Sequence, residues 1–153
     1  MSFDREPVEA NIEATLQGMT IAAGYNLPKD LGLVTREPLD YDETNGRRPA
    51  AILQITSTTG ELVGLGGIAQ TTIMGRIVYY FDVNTNGAYT VTWVNRYLKA
   101  TRDALLVDRS RGGNPGVINT TITDEPTALL WKTGQAIEAT LTFEVLVMHD
   151  GGV

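Results

Sequence analysis

Residues 136–149 read AIEATLTFEVLVMH. Ile137, Ala139, Leu141, Phe143, Val145 and Val147 alternate with Glu138, Thr140, Thr142 and Glu144, and a period of two sends the two sets to opposite faces of a pleated strand. One face is apolar and the other polar, which predicts a sheet covered on a single side. Upstream, Thr71–Val83 (TTIMGRIVYYFDV) carries β-branched and aromatic residues on both faces, the pattern of a central strand. Shorter strands are predicted at Leu33–Leu39, Ala51–Thr58 and Gly116–Thr123. Within the polar stretch DYDETNGRRP, Asn45-Gly46 signals a hairpin.

Two segments change period. From Asp4 to Ala23, the residues Val8, Ile12, Leu16, Met19 and Ala23 recur at spacings of three and four, one stripe of a helix. Asp4 suits the N-cap, Glu6 and Glu9 suit the positive end of the dipole, and Gly24 suits a left-handed stop. Glu9 and Glu13 lie off the stripe and are expected in solvent. A second helix is predicted over Ala88–Val107, with Val91, Val94, Leu98, Thr101 and Leu105 inward and Arg96, Lys99, Arg102 and Asp103 outward. The order α-β-β-β-α-β-β predicts an α+β fold: a mostly antiparallel sheet with both helices on one face. The 153 residues fit one domain, 1–153. Ser57–Gly75 holds Gly60, Gly64, Gly66, Gly67 and Gly75 among apolar residues, and is expected to form a glycine-rich arm or hairpin.

Composition removes whole classes of chemistry. The chain has no cysteine, which excludes disulfides, thiolate metal sites and cysteine nucleophiles. The formal charge of −6 argues against a dedicated nucleic-acid binder, since phosphates call for clustered Lys and Arg. That charge is uneven: residues 1–45 hold Arg5, Lys29 and Arg36 against nine carboxylates, while the remainder is neutral. No apolar run is long enough to cross a membrane, and the opening MSFDREPVEA is acidic where a signal peptide is basic and then apolar, which predicts a cytoplasmic, membrane-free chain.

The candidate motifs fail one by one. His149 is the single histidine and stands at a strand end, without the orienting partner and shielding pocket that a general base needs. Asp40–Gly46 is acidic like a calcium loop, but counting from Asp40 puts Asn45 where glycine belongs and Ala51 where glutamate belongs. Gly60–Gly67 contains no GxGxxG and opens no helix, so it lacks the dipole of a phosphate loop. Asn119-Thr120-Thr121 is a glycosylation acceptor by pattern only. Arg47-Arg48 and the pair Arg109 and Arg111 are the basic clusters, read as surface loops without interleaved aromatics. No serine stands in a Gly-x-Ser-x-Gly context. No catalytic, cofactor-binding or metal-ligating residue is assigned, and the expectation is a protein that is not an enzyme.

The layout resembles the tail-terminator (tail-completion) proteins of long-tailed phages. The matching pieces are Pro7–Ala23 as opening helix, Pro49–Thr56 (PAAILQIT) as second strand, Ile77–Val83 (IVYYFDV) leading into the helix Tyr89–Val107, and Ile137–Met148 as closing strand. Ser57–Gly75 departs from that layout. The resemblance implies a structural virion protein forming a homohexameric ring that caps the tail tube and joins it to the head connector, with DNA passing through the lumen without sequence-specific contact. It implies assembly in the host cytoplasm and a final place in the tail or neck of the particle. A head–tail connector or stopper is the neighbouring alternative, and a non-viral small ligand-binding module is the alternative from a different class.

Overall fold

The computed structural model describes residues 4–62, 68–82, 88–123, 127–131 and 136–150. Its elements run α1 (Glu6–Gln17), β1 (Leu33–Thr35), β2 (Ala50–Leu62), β3 (Ile68–Asp82), α2 (Ala88–Val107), β4 (Val117–Ile122), β5 (Thr127–Trp131) and β6 (Ala136–Asp150). The α+β class and the mostly antiparallel sheet expected from the sequence are what the chain adopts, with one strand, β5, added to the expected order.

The sheet runs β1-β2-β3-β6-β4, and β5 pairs with β6 alongside β4. β3 is central, paired from Ile68↔Asp150 to Asp82↔Ala136 with β6 and from Tyr80↔Ala50 to Ala69↔Leu62 with β2. Odd-numbered residues of β3 and β6 face the helices: Ile73, Ile77, Tyr79, Phe81, Leu141, Phe143, Val145 and Val147 join one buried cluster with α1 and α2. From α1 this cluster takes Val8, Ile12 and Leu16, each worth about 1.5–3 kcal/mol when fully buried. From α2 it takes Val94, Tyr97, Leu98, Ala104 and Leu105, while Thr101 is buried beside them.

Three sequence expectations need correction. The chain from β1 to β2 is no hairpin, because those strands are parallel, Leu33↔Ala50 to Thr35↔Ile52. Asn45 has φ −54 and ψ 134, Gly46 has φ 79, and the Arg47 amide bonds the Thr44 carbonyl at 3.0 Å, a type II turn. A two-residue hairpin of type I′ requires positive φ at both central residues, so this turn sends the chain across the sheet instead. Second, α1 stops at Gln17, well before Ala23, which is exposed. Beyond Gly18 the Ile21 amide bonds the Asp30 carboxylate at 2.7 Å and the Ala23 amide bonds Thr20 Oγ1 at 3.2 Å, side-chain acceptors that replace the helical ladder. Third, β1 ends at Thr35, where the Glu37 amide turns back to Thr35 Oγ1 and Pro38 follows.

Ser57–Gly75 lies at the far ends of β2 and β3, paired strand to strand from Ser57↔Met74 to Leu62↔Ala69; residues 63–67 of it fall outside the described residues.

Candidate functional site

Asp4 accepts the Glu6 amide at 3.0 Å in front of α1, and Arg36 on the β1 side pairs with Glu6 at 2.8 Å and Glu13 at 3.6 Å. Arg5 pairs with Glu9 at 3.1 Å. Glu9 and Glu13 are thus half-buried and paired rather than free in solvent. At the other helix, Lys99 pairs with Asp103 at 2.7 Å, and an open hollow of about 300 Å³ lies beside Arg96, Lys99, Tyr25 and Asn26.

The sheet face away from the helices divides into two regions. Near its β1 end, Ala50, Ile52 and Val78 are buried apart from the main core, and Tyr41 covers this end by meeting the Tyr80 ring edge-on at 6.1 Å. Arg48 locks that cover. Its guanidinium sits 3.4 Å from the Tyr41 ring centre, bonds Asp82 at 2.6 Å and the Tyr41 carbonyl at 2.5 Å, and donates to Thr44 Oγ1 at 3.1 Å. The Tyr41 hydroxyl donates to the same Asp82 at 2.8 Å, and burial followed by that bond raises its pKa. The second region is uncovered among the described residues. Exposed Met74 and Arg76, the latter bonded to Gln54 at 2.7 Å, stand among half-buried Thr72, Thr140, Thr142, Glu138, Glu144 and Leu146.

The residues singled out by sequence are scattered over this frame. His149 Nε2 lies 2.7 Å from Thr71 Oγ1 near the end of β6. Asp40 and Glu43 turn their carboxylates onto each other's amides, at 3.0 and 3.2 Å, so those oxygens close a turn. Asn119 accepts from Arg109 at 3.5 Å, and Arg47 donates to the Glu43 carbonyl at 3.0 Å. Gly60 ends up on β2, and the rest of its glycine run lies outside the described residues.

Arg111 corrects the reading of its cluster as a surface loop: it is fully buried, with φ 54. Its Nη2 donates to the carbonyls of Leu105 and Asp108 at the end of α2, satisfying acceptors that a helix end leaves open. Nε and Nη1 have no hydrogen-bond partner among the described residues, and burial pulls the guanidinium pKa down against the opposing pull of Asp108. An arginine just past a helix end, inside a glycine-rich turn, is the signal that could have announced this cap.

No cluster of three or more His, Asp or Glu that could hold a metal occurs among the described residues, nor any helix long and apolar enough to cross a membrane. The chemistry on offer is surface complementarity. No protein-family model and no curated protein matches the chain. Among solved structures it is similar in fold to a chain described as "Virion of native gene transfer agent (GTA) particle", with a TM-score of 0.59 and 13% identity over 92% of this chain and 94% of that one.

Proposed function

We propose that this chain is a structural protein of a phage-type virion, acting as a tail terminator: a hexameric ring that caps the tail tube, receives the head connector and lets DNA pass. The observation that carries the reading is the fold likeness to a chain of a gene-transfer-agent virion, which spans nearly the whole length of both chains. Two features of the chain support it. The sheet leaves one region of a face uncovered by its own helices, a surface available to other copies or to a tube. Asp40 and Glu43 close a turn, and Glu6, Glu9, Glu13 and Asp82 meet arginines, so these carboxylates are spent on holding the fold.

A net charge of −6 suits a ring that DNA passes through without adhering, since like charges repel. Electron microscopy of particles labelled on this chain tests the reading. Label at the head-proximal end of the tube, and tubes of uncontrolled length when the chain is missing, are the expected results. Label in the capsid shell, or none on the particle, refutes the proposal.

A further inference from the structure

The hollow beside α2 brings uncommitted polar groups together. Arg96, Lys99, Ala100 and Asp103 recur along α2 at helical spacing, which puts all four on one face. Opposite that face runs the chain that follows α1. The Tyr97 hydroxyl holds it there by donating to the Lys29 carbonyl. Its turn is closed by the Gly24 amide on the Ile21 carbonyl at 3.0 Å and by the Ile21 amide on the Asp30 carboxylate at 2.7 Å. Between these walls lies the space of about 300 Å³, lined by Tyr25 and Asn26 on one side and by the four helix residues on the other.

The lining divides by chemistry. Ala100 is 3% exposed and Tyr25 packs against the core, so together they give an apolar floor. Arg96 and Asn26 are exposed and make no hydrogen bond or ion pair among the described residues. Lys99 is joined to Asp103 at 2.7 Å and keeps further N–H donors. Asn26 has φ 53, a region where glycine is the default and asparagine is among the few side chains tolerated. The chain thus keeps a side-chain amide at the rim where bare backbone would be easier to place.

Charge and size select the occupant. Arg96 and Lys99 against Asp103 leave a single net positive charge, which a monoanion balances. A phosphate dianion would set excess negative charge beside Asp103, on a chain whose net charge is already −6. The guanidinium fork matches the two oxygens of a carboxylate, and the asparagine amide adds a donor. A volume at the low end of the range for ligand sites admits one small acid, with its carbon skeleton on the apolar floor. We infer that this hollow binds a small organic monocarboxylic acid, with Arg96 as the main partner of the carboxylate and Asn26 and Lys99 as further donors.

Benzoate serves as the probe, titrated into the isotope-labelled full-length chain while NMR follows the backbone amides. Saturable shifts confined to Gly24, Asn26 and the facing turn of α2 are expected, with a Kd on the order of 1 mM. Benzamide has the same shape without the charge and should bind about tenfold more weakly. Arg96→Gln and Asn26→Gly should each weaken benzoate by about tenfold. Both should leave Tm unchanged, since Arg96 has no partner to lose and glycine accepts the backbone at 26. Shifts that do not saturate, or that spread over every exposed cation, overturn the inference, as does benzamide binding equal to benzoate. Tighter binding of phenyl phosphate removes the monoanion argument and the inference with it. Tighter binding of the peptide acetyl-Gly-Glu-Gly-amide assigns the hollow to an acidic side chain of another protein and overturns the small-acid reading. Unchanged affinity in Arg96→Gln overturns it equally. The titration uses the chain alone, so its outcome is independent of whether the chain caps tail tubes.

Discussion

Replacing Gly75 by alanine probes the centre of the sheet. Gly75 lies on the helix-facing side of β3, between Ile55 of β2 and Phe143 of β6. A Cβ built there meets Phe143 Cζ at 2.6 Å, the Gln54 carbonyl oxygen at 2.9 Å and Phe143 Cε1 at 3.0 Å. The obstacle is therefore a buried ring together with backbone, at the place where the β2 register shifts between Ile55 and Ser57. Alanine by itself favours a strand interior over glycine by about 0.5–1 kcal/mol. Forcing a methyl into a filled core costs about 1–3 kcal/mol. The clash wins, and Gly75→Ala should lose ~1–2 kcal/mol net, a drop of about 2–8 °C in Tm for a chain of this length. Thermal and urea unfolding measure it, and Phe143→Leu in both backgrounds completes a double-mutant cycle with a coupling of about 1 kcal/mol, because the smaller side chain makes room for the methyl. An unchanged or raised Tm in Gly75→Ala refutes the reasoning. A lowered Tm with no coupling shifts the strain to the Gln54 carbonyl.

Arg111→Ala should cost about 2–4 kcal/mol in urea unfolding, since it opens a cavity and strips the end of α2 of a donor to two carbonyls; a loss below half a unit of that scale would show that the cap is dispensable. At high pH, burial pushes the Tyr97 hydroxyl up to about 12 and Tyr79 in the same direction, from an ordinary value of 10.0. The folded state holds these protons more tightly, so their contribution is fully present below pH 10 and is lost as pH rises towards 12; urea midpoints that stay flat through that window contradict it. EDTA should leave Tm unchanged, and a chelator-induced drop of several degrees would reveal a structural metal.

Much of the fold was legible because burial imposes a period. β6 alternates without a break, and Val94, Leu98, Thr101 and Leu105 of α2 all enter the core as the helical stripe requires. The parallel pairing of β1 was not legible: Asn45-Gly46 reads the same in a hairpin as in the type II turn it forms, and only the neighbouring dihedrals tell them apart. β5 was missed because TALLW is five residues with no alternation, and its pairing with β6 depends on a partner distant in sequence. Tyr97 escaped the stripe, yet it is fully buried with its hydroxyl bonded to the Lys29 carbonyl, an arrangement no local pattern encodes. Gly75 was counted with the arm glycines, whereas its place against Phe143 is a matter of cross-strand packing.

The candidate surfaces were harder to read than the core for a physical reason. A core position is fixed by what the rest of the same chain must bury, so its pattern is complete within one sequence. An interface position answers to a partner, and one chain shows only half of that pattern. Val107 and Ile118 illustrate this: each reads as an isolated apolar residue, and each stays exposed in the fold with nothing in its own sequence to say what meets it. The opposite charges of α1 and α2 were visible in the sequence, but their meaning depends on sheet order, which sets them towards opposite ends.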